Sequence, residues 1–158
     1  MQKISPFIWF ADGAQEAADF YVSVFPDTKI KNTVQMPDAP GPKGSVYTVS
    51  MSIAGENFTL LNGGPLENYD KITGAISFVV NCDSQEEIDK YWDALADGGK
   101  PGPCGWITDK FGVVWQIVPT RLAELLSDSD PAKVKRVTQC FMKMSKFDIS
   151  ELEKASNG

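Results

Sequence analysis

Residues 15–21 read QEAADFY and residues 85–91 read QEEIDKY. The two stretches agree at Gln15 and Gln85, Glu16 and Glu86, Asp19 and Asp89, and Tyr21 and Tyr91. Each sits on a helical pattern. The first opens after Asp12 and Gly13, carries Ala18, Tyr21, Val22 and Phe25 at i, i+3, i+4, i+7 spacing, and stops at Pro26 and Asp27. The second opens after Asp83 and Ser84, carries Ile88, Tyr91, Trp92 and Leu95 at the same spacing, and closes at Gly98 and Gly99. Helix composition alone accounts for part of such a match, but the flanks agree too. An apolar strand precedes each helix, ISPFIWF at 4–10 and GAISFVV at 74–80.

Three strands are expected after the first helix: TKIKNTVQM, then SVYTVSMSI, in which Val49, Met51 and Ile53 alternate with Thr48, Ser50 and Ser52, then NFTLL. The segment PDAPGPKGS between the first two reads as a mobile loop. After the second helix KPGPCGWIT and GVVWQIVP are the strand candidates. The repeated unit is βαβββ, with modules at about 1–66 and 71–120. From Arg121 the pattern becomes helical: RLAELLSD, then PAKVKRVTQCFMKM with Pro131 at a helix start, then DISELEKA with Asp148 as cap and Glu151 in capping-box position. Residues 121–158 therefore form a helical extension, with Val134, Val137, Phe141 and Met144 as its apolar stripe.

A chain of 158 residues with 42% apolar content can bury one compact domain or two small packed modules without disulfides or a structural metal. Fifteen basic and 21 acidic residues give a charge of -6, so neither nucleic acid nor an anionic membrane is an expected partner. The N-terminus fits neither a signal peptide nor a transmembrane span, and Cys82, Cys104 and Cys140 suggest neither a disulfide framework nor a zinc knuckle. A cytoplasmic protein is expected. Histidine is absent, which excludes Ser-His-Asp and Cys-His catalysis and removes the commonest metal ligand.

The duplicated βαβββ unit, its QEAADFY-type helix and the DKFG turn before the last strand resemble the vicinal oxygen chelate superfamily, the glyoxalase and bleomycin-resistance fold. Within it NGGP at 62–65, AISF at 75–78, CGW at 104–106 and DKFGVVWQIVP at 109–119 resemble the PhnB-like branch, whose members often carry the label demethylubiquinone methyltransferase-like. The resemblance covers about residues 1–120. It implies an α+β fold in which two βαβββ modules form an open barrel-like sheet around a cavity, a homodimer, and in metal-bearing members a divalent ion held by His on the first strand and Glu or Gln on the last strand of each module. The matching positions here are Ser5 or Pro6, one residue among Thr59 to Leu61, Ser77, and Gln116. Two serines, an amide and at most a threonine hydroxyl offer no anionic or imidazole donor. No metal and no cofactor are expected.

Gln116 is the one polar residue inside GVVWQIVP, and a buried amide there needs a hydrogen-bond partner or a ligand. With Ser77, Ser5, Trp9 and Trp106 it makes up the expected lining for a small organic molecule in the barrel cavity. Trp115 is a third aromatic candidate. Were the protein an enzyme instead, Asp109, Cys104 or Tyr47 would be the proton-transfer candidates. Asp109 reads first as a turn residue, and Cys104 has no neighbouring base to activate it. NGGP reads as a tight turn, not a phosphate loop, and no GxGxG turn of a Rossmann-like methyltransferase follows a strand. A dimeric interaction module without ligand is the remaining alternative.

Overall fold

Each copy of the repeat folds as a strand, a helix and three further strands in the computed structural model, which describes residues 3–35, 46–65 and 74–158. The expected loop at 37–45 lies outside the described residues. The chain divides into two compact units, Met1–Tyr69 and Asp70–Gly158. In the first, β1 (Phe7–Phe10) leads to α1 (Ala14–Val24), then β2 (Lys29–Gln35), β3 (Val46–Ile53) and β4 (Glu56–Asn62). The sheet order is β1-β4-β3-β2, with β1 parallel to β4 and the other pairs antiparallel.

Strand alternation sorts the side chains of this sheet. Val49, Met51 and Ile53 of β3, Phe58 and Leu60 of β4, and Ile8 and Phe10 of β1 are buried on the α1 side. The helix buries Ala14, Ala17, Ala18, Tyr21 and Val24, whereas Val22, expected in the apolar stripe, is 42% exposed. The buried stripe runs through Ala14, Ala17, Ala18, Tyr21 and Val24, which leaves Val22 at its margin. The helix has Gly13 as N-cap and no side-chain cap of its own; Asn62 at the end of β4 supplies it, accepting from the Ala14 N–H at 2.7 Å and donating to the Val46 carbonyl at 2.8 Å.

The second unit repeats the plan. β5 (Phe78–Cys82) is followed by α2 (Gln85–Ala96), β6 (Lys100–Pro101), β7 (Trp106–Thr108) and β8 (Val114–Pro119), in the order β5-β8-β7-β6, again with only the first pair parallel. All four residues of the expected α2 stripe, Ile88, Tyr91, Trp92 and Leu95, are buried. Its start is held by Ser84, which accepts from the Glu87 N–H, while the Glu87 carboxylate accepts from the Asp83 N–H.

KPGPCGWIT, read above as one strand, is two short strands separated by a turn. Cys104 and Gly105 both take left-handed backbone angles, φ +54° and +79°. Their N–H groups leave the sheet and donate to the Met144 and Ser145 carbonyls at 2.8 and 2.7 Å. The turn is thus a docking point for the C-terminal helices α3 (Thr120–Leu126), α4 (Pro131–Phe141) and α5 (Ile149–Asn157). A second one is Gln85, whose amide donates to the Phe147 carbonyl and accepts from the Ile149 N–H. Gln15, its counterpart in the first helix, donates to Asp19, so one shared letter of the repeat has acquired a long-range role in one copy. Asp148 caps α5 as expected, but the Glu151 carboxylate pairs with Lys154 at 2.7 Å.

Candidate functional site

Gln116 lies on the sheet face opposite α2. Its chain neighbours Trp115 and Ile117 are buried, so the pleat turns the amide to the other side, where it is half-buried between its cross-strand partners Val79 and Trp106. Val79 is 52% exposed. The amide Nε2 donates to the Ser77 hydroxyl at 2.8 Å. Two of the expected lining residues are thereby brought together, and Trp106 stands beside them on the same face.

Pairing fixes which residues of the first unit occupy the equivalent positions. Val113 and Glu56 are the first residues after their hairpin turns, and three residues on lie Gln116 and Thr59. Thr59 pairs with Phe7 as Gln116 pairs with Val79, and two residues before Phe7 and Val79 stand Ser5 and Ser77. The counterpart of Gln116 is therefore Thr59, and the counterpart of Ser77 is Ser5. Ser5 and Thr59 together line an open groove of about 440 Å³ on the first sheet, with Ser50, Asn57 and Lys31. The Lys31 ammonium donates to the Asn57 side-chain oxygen. Neither Lys31 nor Asn57 stood out in the sequence, because what turns Lys31 toward Asn57 is a one-residue irregularity of β2 between Ile30 and Asn32.

Metal-bearing members of the fold carry their donors at these positions. Taken unit by unit, the positions hold two hydroxyls in the first, Ser5 and Thr59, and a hydroxyl with an amide in the second, Ser77 and Gln116, and neither pair offers an anionic or imidazole donor. Among the described residues no three His, Cys, Asp or Glu side chains are grouped to hold an ion.

The remaining candidates stand elsewhere. Trp9 is 41% exposed, its indole N–H donating to the Gly64 carbonyl at 3.0 Å. Gly64 has the positive φ expected of NGGP, +77°. Gly63 answers to a different demand: a Cβ there would overlap the Trp9 ring. Trp115 is buried, its indole donating to Asp109 at 2.9 Å. The other Asp109 oxygen accepts from the Phe111 and Val113 N–H groups at 2.9 and 3.0 Å, so the buried carboxylate ties the DKFG turn to β8 with three donors. Cys104 is half-buried in the docking turn, its thiol 3.7 Å from the Phe141 carbonyl. Tyr47 is half-buried at an irregularity of β3, left unopposed where Val34 pairs with Thr48 and Gln35 with Val46. The buried Cys82 thiol is pushed up to about 12 by desolvation, with Glu87 and Asp83 adding to it.

Two such βαβββ modules define the vicinal oxygen chelate fold. FosX, a fosfomycin resistance protein of Listeria monocytogenes, shares it at a TM-score of 0.54 and 16% identity over 78% of this chain and 97% of that one. A Pseudomonas aeruginosa protein does so at 0.63 and 23%, over 75% and 98%. At the level of family, the one described as 3-demethylubiquinone-9 3-methyltransferase matches residues 2–118. The PhnB protein of Bacillus cereus is 31% identical with a TM-score of 0.67, over 75% of this chain and all of that one. The chain belongs to this PhnB-like family. No curated protein matches it.

Proposed function

We propose that the protein binds a small organic molecule without a metal ion on the sheet face that turns away from the helix of a unit, the face with Gln116 and Ser77 in the second unit and its counterpart with Thr59 and Ser5 in the first. The observation that carries this reading is the Gln116 to Ser77 hydrogen bond at the strand positions where metal-bearing members place Glu or Gln and His, the His being replaced here by a serine to which the amide is committed. An amide keeps the shape and acceptor oxygen of a carboxylate but loses its charge, so it orients a ligand without attracting a cation. Binding is favoured over catalysis because the Asp109 carboxylate is already engaged by three N–H groups and the Cys104 turn serves to dock the C-terminal helices. Methyl transfer is not part of the reading: the strand-to-helix turns, ADG at 11–13 and DS at 83–84, contain no glycine-rich nucleotide loop.

A thermal-shift screen of metabolites on chelator-treated protein tests the proposal. A ligand at a hundred times its Kd adds about 2.7 kcal/mol, and Gln116→Leu should abolish the shift. A stoichiometric zinc, nickel, manganese or iron(II) site tighter than about micromolar that Gln116→Ala removes would overturn it.

The same reading takes the protein as a cytoplasmic homodimer, with residues 121–158 as an extension of the βαβββ pair. No helix among the described residues is long and apolar enough to cross a membrane. Ile76, 72% exposed, stands just before β5, an edge strand of its sheet that carries the exposed Val79, apolar surface of the kind a second copy covers. Sedimentation at micromolar concentration that shows only a 17.3 kDa species would refute the dimer.

A further inference from the structure

The face of the first sheet that looks away from α1 is graded in polarity along its strands. Cross-strand pairing arranges it in rows. Asn57, Ser52 and Lys29 form the first. Phe7, Thr59, Ser50 and Asn32 form the second. Trp9, Leu61, Thr48 and Val34 form the third. One end is rich in hydrogen-bond donors, with the Asn57 amide, the hydroxyls of Ser5, Ser50 and Thr59, and the Lys31 ammonium around the groove. The other end is more apolar, with Trp9 and Val34 each 41% exposed, and Phe7, 60% exposed, stands at the edge of the middle row between the two.

Three features indicate that this surface is built rather than incidental. First, β2 carries an extra residue at Lys31: Ile30 pairs with Met51 and Asn32 with Ser50, leaving Lys31 unopposed. Bulges of this kind re-aim a side chain, and here the re-aimed ammonium reaches Asn57, two strands away in the sheet order β1-β4-β3-β2. Second, the groove lining contains no carboxylate, and Lys31 makes no ion pair among the described residues, in a chain whose net charge is -6. Third, the Trp9 indole is held at one edge by the Gly64 carbonyl and seated over Gly63, so its orientation is set before anything binds. A pinned, exposed aromatic offers contact area at little entropic cost.

We propose that this face binds a small organic anion, its charged end beside Lys31 and the hydroxyls of Ser5, Ser50 and Thr59, its apolar body across Phe7 and Trp9. From the Asn57 row to the Trp9 row is four residues, about 13 Å, a span that a bicyclic acid covers together with its contacts. The inference rests on the small-molecule reading above and adds to it the charge, the polarity and the orientation of the ligand.

The test uses 1-naphthoate and its neutral isostere 1-naphthalenemethanol as probes, with calorimetry on the full chain. Naphthoate should bind about ten-fold more tightly than the alcohol, the difference between a charge-assisted and an ordinary hydrogen-bonded contact. Lys31→Gln should weaken naphthoate by about five-fold, the loss of one partly exposed charge contact, leave the alcohol unchanged, and be rescued by Lys31→Arg. Raising salt from about 0.02 to about 0.3 M should weaken only the anion. Lys31 is exposed, so circular dichroism of these variants should match the parent. Equal binding of acid and alcohol, or indifference to Lys31→Gln, overturns the anion assignment while leaving the small-molecule reading intact. Failure of naphthoate to bind at all overturns the assignment too, and the independent response of the metabolite screen to Gln116→Leu then decides whether the broader reading falls with it.

Discussion

Replacing Asp109 by Ala removes one acceptor group that three donors share: the Phe111 and Val113 amides at 2.9 and 3.0 Å and the Trp115 indole at 2.9 Å. Asp109, Val113 and Trp115 are all at or below 3% exposure, so water does not readily replace the lost acceptor. Each orphaned buried donor costs about 1–3 kcal/mol. Partial relaxation of the turn brings the sum to about 3–5 kcal/mol, against a total stability of about 5–15 kcal/mol for a domain. Asp109→Asn separates the contributions. It keeps an acceptor for the two amides but turns an NH2 group toward the Trp115 N–H, a donor facing a donor, and should cost about 1–2 kcal/mol. Trp115→Phe removes that conflict, so in the double variant the Asn penalty should shrink by about 1 kcal/mol. Urea unfolding followed by far-UV circular dichroism reads the parent and all four variants, with the m-value checking that the unfolding unit is unchanged. If Asp109→Ala costs less than about 1 kcal/mol, the carboxylate does not hold the turn. A variant that keeps full stability but loses an assayed activity would move Asp109 from scaffold to chemistry.

Further expectations follow from single contacts. Gly63→Ala should dislodge the Trp9 ring and cost about 1–3 kcal/mol, with a change in tryptophan emission that Trp9→Phe removes. Cys104→Gly should be neutral or stabilising by up to about 1 kcal/mol, because the left-handed backbone at this position strains any side chain, whereas Cys104→Val should cost about 2 kcal/mol or more in the same melts. The Cys82 thiol, raised to about 12, should resist a thiol reagent at pH 8 in the folded protein and react only on unfolding. Its folded value lies above the unfolded one, so its contribution to stability is complete below about pH 9 and is lost as pH climbs toward 12. A native-state mass shift showing Cys82 labelled at pH 8 would contradict this.

Much of the fold is legible in the sequence because its signals are local. The spacing of Ile88, Tyr91, Trp92 and Leu95 marks a buried helix face whatever lies against it, and the alternation in β3 marks a strand with one buried side. The duplication is visible because both copies keep the same helix letters at the same offset from an apolar strand. The polar interruption at Gln116 likewise marks the residue that leaves the core, since a pleated strand must turn every second side chain outward.

What the tertiary structure alone decides is set by pairing between distant segments. Counting back from the helices leaves Ser5 or Pro6 open, because the connection before α2 is one residue shorter than the one before α1, and no local marker fixes the register within Thr59 to Leu61; strand pairing selects Ser5 and Thr59. The side-chain cap of α1 comes from Asn62, 48 positions from the Ala14 N–H that it accepts from. The split at Cys104 depends on carbonyls of residues 144 and 145, and the need for glycine at 63 on the ring of Trp9. The reach of Lys31 to Asn57 depends on a bulge that exists only once β2 pairs with β3. Helix faces and strand alternation are properties of a chain segment with its own period, so composition reveals them. Register, bulges and close approaches are properties of two segments brought together, and no single stretch of sequence contains the partner that determines them.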